Sequence, residues 1–426
     1  MTADPAWLRY IVAVVFGVTS MLMFLPLSHR TKNISTIFSL GSLILLKIFG
    51  FLYGYYWGRD YIYYTSDSAR FFEGATLITD SLLRGVYPTV AQINSTIGGH
   101  SNGTVYMWFT GILNIFFNDL FLSSFVYSFS AYLIICVLIF KISELVGCDN
   151  RVSIFAVGLY LCLPLSSYYL LSPMKETSVS LWATLFTYVF LLCIKNPNKK
   201  IIFYIFIEAL IIAFLFLDRF YILGFLCISI ISYLYFNLTK LQKILLFFPA
   251  IITTLFSLYC LLALVQWDYH LLYNGFGVGM AGVGGTIPLY MKLILSPFLS
   301  IKYLLSPINF ISFFKDKDSP GSSVFYYYLW TNFLMLFGLA LFLLKVKSDR
   351  YKSFFKHYIF YAIFVVSILY TTSNGRMREA FIPMIVIASS QGYFLLKARQ
   401  RFFIGAFLST AVSLFGTIIL MMDLVE

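Results

Sequence analysis

Residues 201–238 read IIFYIFIEALIIAFLFLDRFYILGFLCISIISYLYFNL, two apolar runs that are separated only by Asp218 and Arg219. Each run is close to the length that an α-helix needs to cross a hydrocarbon layer of about 30 Å. Transmembrane β-strands instead alternate apolar and polar residues, and these runs do not alternate. The stretch therefore predicts two membrane-spanning helices joined by a very short connection.

Similar apolar runs recur along the chain. Hydrophobic residues make up 60% of the sequence and charged residues only 11%, and the mean hydropathy is +0.85. Soluble domains carry about a quarter charged residues, so this chain lacks the charges for a water-facing surface. We predict an all-α, polytopic integral membrane protein, a single helical membrane domain over residues 1–426 with about 12 transmembrane helices. The predicted spans are 7–27, 34–57, 120–144, 153–171, 177–194, 201–217, 220–238, 244–265, 324–344, 358–372, 380–396 and 402–422.

The connections between these spans fall into two alternating sets that differ in charge. The first set holds 16 Lys or Arg in 41 residues and comprises 28–33, 147–152, 195–200, 239–243, 345–357 and 397–401. The second set is far longer but holds only 11, and comprises 58–119, 172–176, 218–219, 266–323, 373–379 and the tail from Asp423. Because cytoplasmic loops are rich in Lys and Arg, the first set is predicted to be cytoplasmic and the second external. Topology thus explains the net charge of +12, and no nucleic-acid partner is predicted.

Two long external loops follow from this topology, 58–119 and 266–323. Residues 104–118 of the first are apolar but short, which favours a helix that lies at the membrane interface. The alternative is that this segment spans the membrane, in which case one other span is lost or the N-terminus lies inside. The six cysteines show no metal-binding spacing, so no metal site is predicted. No cofactor is implied, and nothing in the sequence supports a divalent metal.

Charged residues at the external ends of helices are the candidates for chemistry, because a charge at membrane depth is costly. In the first external loop, Asp67 is a candidate general base for an acceptor hydroxyl. Arg70 follows three residues later on the same face of a helix, where it can pair with Asp67 or bind a phosphate. The alternative is a solvated loop with a local ion pair.

A second candidate lies between two predicted spans, at Pro173–Thr177. Pro173 ends one helix and helps to start the next. Lys175 and Glu176 then lie at a helix N-terminus, where backbone N–H groups already favour an anion. Lys175 in this position suits a lipid-linked phosphate. The alternative is that Lys175 extends towards water and Glu176 only complements the helix dipole.

Two more external sites contain arginine. Asp218 and Arg219 fill the break between the two runs quoted above, and the alternative is a tight turn in which these charges pair with each other. Arg376 and Arg378 lie on the external side, against the charge rule for loops. Guanidinium groups bind phosphate oxygens in pairs, so this segment indicates an anionic lipid headgroup. The alternative is that Arg378 and its neighbour Glu379 anchor a helix end.

Short motifs follow one another along most of the chain. They are Asp67 with the aromatic Phe72, the segment from Tyr106 to Gly111 before an apolar span, Pro173-x-Lys175-Glu176, Arg219-Phe-Tyr, and Arg376-x-Arg378 followed by Pro383. Their order and spacing resemble those of the bacterial GT-C-type membrane glycosyltransferases, and also those of the O-antigen and capsule repeat-unit polymerases of the Wzy type. The chain departs from the GT-C pattern in two respects. Two spans precede the Asp67 loop rather than one, and the paired acids of several such enzymes are absent beside Asp67.

The resemblance implies transfer of a sugar or an oligosaccharide repeat from undecaprenyl phosphate or diphosphate to an acceptor. This transfer would take place on the periplasmic face of a bacterial inner membrane, during O-antigen or surface-polysaccharide assembly. Asp67 matches the catalytic base of GT-C enzymes. Arg219, Arg376 and Arg378 match arginines that engage the carrier diphosphate. The expected partners are the polyprenyl-linked sugar, membrane lipid and other polysaccharide-assembly proteins.

The sequence leaves three other functions open besides a single-sugar glycosyltransferase. A Wzy-type polymerase needs a groove for two long glycans, which the 266–323 loop would supply. A flippase or transporter of lipid-linked sugars needs charges near the middle of the membrane, whereas most charges here lie at the outer ends of helices. A membrane scaffold predicts that the four charged segments tolerate mutation.

Overall fold

The structure is a computed structural model, and it describes eight segments of the chain and a few isolated positions. These segments are 40–49 with gaps, 66–96, 103–163, 174–195, 201–237, 329–346, 350–360 and 379–408. All regular secondary structure in these segments is helical. This confirms the all-α prediction for the described residues. The predicted spans 7–27 and 244–265, the second external loop 266–323, and most of 34–57 and 358–372 lie outside them.

The helices named below have the following bounds. They are α1 Ser66–Leu83, α2 Val90–Thr96, α3 Thr104–Phe117, α4 Leu120–Leu145, α5 Asn150–Cys162, α6 Glu176–Lys195, α7 Ile201–Asn237, α8 Leu329–Lys345, α9 Arg350–Phe360 and α10 Ile382–Phe394.

Two of these helices, α4 and α6, are long and apolar enough to cross a membrane. They match the predicted spans 120–144 and 177–194 to within one residue at each end. The start of α4 is fixed by Asp119, whose side chain accepts hydrogen bonds from the backbone N–H groups of Phe121 and Leu122. Asn118 adopts a left-handed conformation that ends α3, so α3 and α4 are joined by a tight turn.

The helix α7 is broken at Arg219, whose φ of −162° and ψ of 80° are not helical. Phe214, before the break, contacts Trp182 of α6 with ring centroids 4.6 Å apart, and Tyr233, after it, contacts Phe190 at 6.4 Å. A straight helix would separate Phe214 from Tyr233 by about 28 Å, whereas Trp182 and Phe190 are about 12 Å apart along α6. A reversal at the break brings Tyr233 level with Phe190. The predicted pair of helices with a break at Asp218–Arg219 is therefore what the chain forms.

Three parts of the chain differ from the predicted boundaries. Within the predicted loop 58–119, the described residues form α1, α2 and α3. Of these, α3 confirms that the segment 104–118 is helical. The span predicted over 153–171 begins earlier and its helix α5 ends at Cys162, because Leu163 precedes a proline and is extended. Helix α9 begins in the basic connection predicted over 345–357 and extends into the span predicted over 358–372, and its residues Phe354 and Phe355 are buried.

The helices α8 and α10 pack closely and in parallel. A Cβ atom added to Gly338 would overlap the backbone of Ser389, and one added to Gly392 would overlap the backbone of Gly338 and Phe342. Small residues of this kind allow helix backbones to approach each other closely, as in membrane helix pairs. These helices form one hydrophobic core with α4 to α7, and a smaller core lies between α1, α3 and α4.

Candidate functional site

Two of the predicted charged segments meet in the structure. Lys175 and Glu176 lie at the N-terminus of α6, and Asp218 and Arg219 lie at the break in α7. All four residues are buried, each with 5% or less of its total surface exposed. We call these four residues the ionic cluster. Because charged residues are only 11% of the chain, four of them buried together define the first place to look for chemistry.

Within the ionic cluster, Asp218 binds the start of α3. Its Oδ1 atom accepts hydrogen bonds from the backbone N–H groups of Val105 at 2.9 Å and Tyr106 at 3.2 Å. Its Oδ2 atom accepts one from the Ser178 hydroxyl at 2.8 Å, and its backbone carbonyl accepts one from the Gly103 N–H at 3.2 Å. A carboxylate is favoured at a helix N-terminus, where N–H groups lack partners within the helix. Asp218 thus joins α3, α6 and α7.

Arg219 and Glu176 form a buried ion pair. The Arg219 Nη2 atom donates to Oε1 of Glu176 at 2.8 Å, and the two side chains are 6% and 2% exposed. The second carboxylate oxygen of Glu176 has no hydrogen-bond partner among the described residues. Removal of one member of such a pair leaves a buried charge uncompensated, so the pair fixes the break in α7 against the start of α6.

Lys175 connects the ionic cluster to α1. Its Nζ atom lies 5.3 Å from the centre of the Phe71 ring, a cation–π contact. Gly103, with φ of +92°, packs against both side chains, and a Cβ atom there would lie 2.9 Å from each. Only glycine fits this backbone conformation and this spacing. Asp67 lies one helical turn before Phe71 on α1, so the segment that carries it approaches the ionic cluster.

A set of hydroxyl groups surrounds the ionic cluster. The Tyr127 hydroxyl is hydrogen-bonded to that of Ser178 at 2.8 Å, and the Tyr106 hydroxyl to that of Ser124. Phe71 and Tyr106 pack edge to face with ring centroids 5.6 Å apart. Sequence analysis named Tyr106 only as the start of a motif and missed Ser124, Tyr127 and Ser178, because no local signal distinguishes them from the many other Ser and Tyr of the chain.

The remaining predicted site residues are distributed as follows. Arg70 lies on α1 and is exposed. Arg376 and Arg378 lie outside the described residues. The adjacent Glu379 is described, is 3% exposed, and accepts a hydrogen bond from the Ser166 hydroxyl at 2.7 Å. No group of three or more His, Cys, Asp or Glu residues among the described positions is arranged to hold a metal ion.

The geometry limits what each member of the ionic cluster can do. Asp218 and Arg219 already bind the protein through short hydrogen bonds, which suits positioning. Lys175 brings a positive charge to the interface between α6 and α1. A cation of this kind can stabilise negative charge on a bound phosphate.

Comparison with protein-family models, with curated proteins and with solved structures found no match to this chain.

Proposed function

We propose that the chain is a multi-pass protein of a bacterial inner membrane, with about 12 transmembrane helices. The lengths of α4 and α6 support this, and so does the apolar character of exposed surfaces. Val137 on α4, Phe203 and Phe206 on α7, and Leu344 on α8 are between 57% and 82% exposed. Large apolar patches on the surface of a protein indicate contact with lipid or with another protein.

We propose further that the chain is a glycosyltransferase that uses a sugar or oligosaccharide linked to undecaprenyl phosphate or diphosphate. The observation that carries this proposal is the contact between the buried Lys175 and Phe71, which follows Asp67 by one helical turn on α1. Glycosyl transfer from a lipid phosphate needs a base for the acceptor hydroxyl and a cation for the leaving phosphate. In this proposal, Asp67 on α1 is the base and Lys175 at the start of α6 is the cation.

The proposed reaction inverts the anomeric carbon. Asp67 removes the proton from the acceptor hydroxyl, whose oxygen attacks the anomeric carbon of the donor. The bond between that carbon and the phosphate oxygen breaks, and the carrier lipid leaves with a phosphate or diphosphate. Lys175, together with Arg376 and Arg378, stabilises the charge that develops on this leaving group. Glu176, Asp218 and Arg219 hold Lys175 against α1, which is a positioning role.

Activity in cells tests this proposal. A deletion strain is complemented with wild type, Asp67→Asn or Lys175→Met, and the surface polysaccharide is separated on a gel. We expect both variants to lose roughly 10²–10³ in rate, since each removes a group that acts only in the transition state. Matched controls are Asp80→Asn, exposed on α1, and Lys195→Met, exposed at the other end of α6. If both site variants restore wild-type polysaccharide, the proposal is wrong.

The same gels distinguish the alternatives within this class. A single capped repeat unit in the deletion strain indicates a Wzy-type polymerase, whereas full-length chains that lack a branch sugar indicate a single-sugar transferase. A flippase of lipid-linked sugars forms no glycosidic bond in any assay with purified protein.

A further inference from the structure

The chain leaves α10 through a turn that leads into a further helix over residues 398–408, which we call α11. The start of α11 is fixed by Gln400, whose side-chain oxygen accepts a hydrogen bond from the backbone N–H of Lys397 at 3.0 Å. Arg401 binds the turn back to α10. Its Nη1 atom donates to the Phe394 carbonyl at 3.3 Å, and its guanidinium lies 4.3 Å from the centre of the Phe394 ring. These contacts set the direction in which α11 leaves α10.

One face of α11 carries an exposed cation followed by exposed aromatic rings. Arg399, Phe403 and Phe407 recur every four residues, so they lie on the same face, which we call the α11 stripe. Arg399 is exposed, and 58% of Phe403 and 72% of Phe407 are exposed. The guanidinium of Arg399 lies 5.7 Å from the centre of the Phe403 ring. At about 1.5 Å per residue, the two rings lie roughly 6 and 12 Å along the helix from Arg399.

The charged end of the α11 stripe has a second cation beside it and no acidic partner in the described structure. Lys397 is exposed two residues before Arg399, and neither side chain forms an ion pair with a residue that the structure describes. The sequence contains no acidic residue between Glu379 and Asp423. Leu395, just before these cations, is 50% exposed. This end of the stripe therefore attracts an anion, and apolar surface borders it.

The combination of charge and apolar surface decides between classes of ligand. A small soluble anion would use the two cations and leave Phe403 and Phe407 in contact with water. A phospholipid brings a phosphate followed by acyl chains, in the same order as the groups along the stripe. A headgroup with net negative charge is favoured over a zwitterionic one, because Lys397 and Arg399 repel the positive group of a zwitterion. A helix that enters the membrane meets the headgroups at its basic end.

We propose that the α11 stripe binds an anionic phospholipid of the surrounding bilayer, with its phosphate at Lys397 and Arg399 and its acyl chains against Phe403 and Phe407. This inference rests on the proposed placement of the chain in a membrane, and it goes beyond glycosyl transfer. The bound lipid is not the sugar donor, because Lys397 belongs to the connections predicted to be cytoplasmic and the proposed reaction takes place on the external side. The lipid holds the start of α11 at the level of the headgroups.

The test measures the thermal unfolding temperature of the purified full-length protein in an uncharged detergent. The probes are phosphatidylglycerol, phosphatidylcholine with the same acyl chains, and glycerol 3-phosphate, which has the charge without the chains. We expect phosphatidylglycerol to raise the unfolding temperature more than phosphatidylcholine does, and glycerol 3-phosphate to have no effect at the same concentration. Lys397→Gln/Arg399→Gln should increase the Kd for phosphatidylglycerol by about thirtyfold, since each basic residue near an anionic surface gains about fivefold in affinity. Its affinity for phosphatidylcholine should stay that of wild type.

Two further variants show whether the effect belongs to the α11 stripe. Lys141→Gln/Lys195→Gln removes the same amount of charge from exposed positions on α4 and α6, and it should keep the preference for phosphatidylglycerol. Phe407→Ala keeps both cations and removes an exposed ring, so it should weaken the binding of both phospholipids alike. All the substituted side chains are exposed, so without lipid each variant should unfold close to the temperature of wild type.

Three results overturn the inference and leave the proposed function standing. The first is that phosphatidylglycerol and phosphatidylcholine raise the unfolding temperature of wild type equally. The second is that both double variants lose the preference alike, which would mean that only net charge matters. The third is that glycerol 3-phosphate acts as strongly as phosphatidylglycerol. The proposed function fails separately, if wild type in phosphatidylcholine nanodiscs forms no glycosidic bond. Lys397→Gln/Arg399→Gln should match wild type in that assay.

Discussion

At the scale of single residues, the pair of Arg219 and Glu176 is the contact on which the ionic cluster depends. Arg219→Met would leave the Glu176 carboxylate buried, and its second oxygen already lacks a partner in the described structure. We expect this variant to lose about 3–5 kcal/mol of stability, as is typical when one member of a buried pair is removed. Thermal unfolding in detergent measures the loss.

The exposed pair of Lys141 and Glu144 is a control for this experiment, since its side chains are 52% and 38% exposed. Lys141→Met should cost less than about 1 kcal/mol, because water screens such pairs. The double variant Arg219→Met/Glu176→Leu should recover part of the loss, since no uncompensated charge remains. Equal unfolding temperatures for Arg219→Met and Lys141→Met would show that the buried pair does not hold the break in α7.

Asp218 makes a second prediction at this scale. Asp218→Ala removes the acceptor of the N–H groups of Val105 and Tyr106, so the first turn of α3 should open more often. A cap of this kind contributes about 1–2 kcal/mol, so exchange of these two amide hydrogens should become about tenfold faster. Hydrogen exchange with mass spectrometry reads this over residues 104–107, and Asp119→Ala at the start of α4 is a control that should leave them unchanged. Unchanged exchange in Asp218→Ala would contradict the capping role.

Sequence reasoning identified the charged residues of the site but not what they bind. Lys175, Glu176, Asp218 and Arg219 were recognisable because a charge at the end of an apolar span is costly. Their partners were not, since Asp218 bonds to residues more than a hundred positions away in the sequence.

At the scale of the elements, the close contact of α8 and α10 is the most constrained packing in the described structure. Gly338→Ala would place a methyl group against the backbone of Ser389. The helices must then separate, and we expect a loss of about 1–3 kcal/mol, the usual range for overpacking. Gly41→Ala is a matched control, because nothing lies within 4 Å of a Cβ atom at that position. Similar unfolding temperatures for the two variants would contradict this helix packing.

Some helix bounds could be predicted from the sequence and others could not. The bounds of α4 and α6 and the break in α7 were predictable, since long apolar runs and the charges between them are local features. The apolar segment of α3 was also predicted to be helical, but α1 and α2 were predicted only as part of a loop, because their residues are mixed in polarity and their helical state depends on packing. Thr79 of α1, for example, donates a hydrogen bond to the carbonyl of Gly111 on α3 at 2.9 Å.

At the scale of the whole molecule, the proposed topology places α1 to α3 on the external side and the basic connections inside. Tyr87, between α1 and α2, is 79% exposed, and Arg399, in the basic connection 397–401, is also exposed. In a variant without native cysteines, Tyr87→Cys should react in intact cells with a maleimide that cannot cross the inner membrane. Arg399→Cys should react only after the cells are lysed. The reverse pattern would invert the topology and place the ionic cluster on the cytoplasmic face.

We propose that this chain forms a glycosidic bond at the external face of the membrane, with Asp67 and Lys175 at the site. The most direct measurement uses purified protein in lipid nanodiscs, a panel of undecaprenyl-phosphate and undecaprenyl-diphosphate sugars, and acceptor glycans, with mass spectrometry of the products. We expect a new glycosidic bond and released carrier lipid with wild type and with Lys195→Met, and a loss of product with Asp67→Asn and with Lys175→Met. A folded wild-type protein that yields no product from any donor, or site variants as active as wild type, would contradict it.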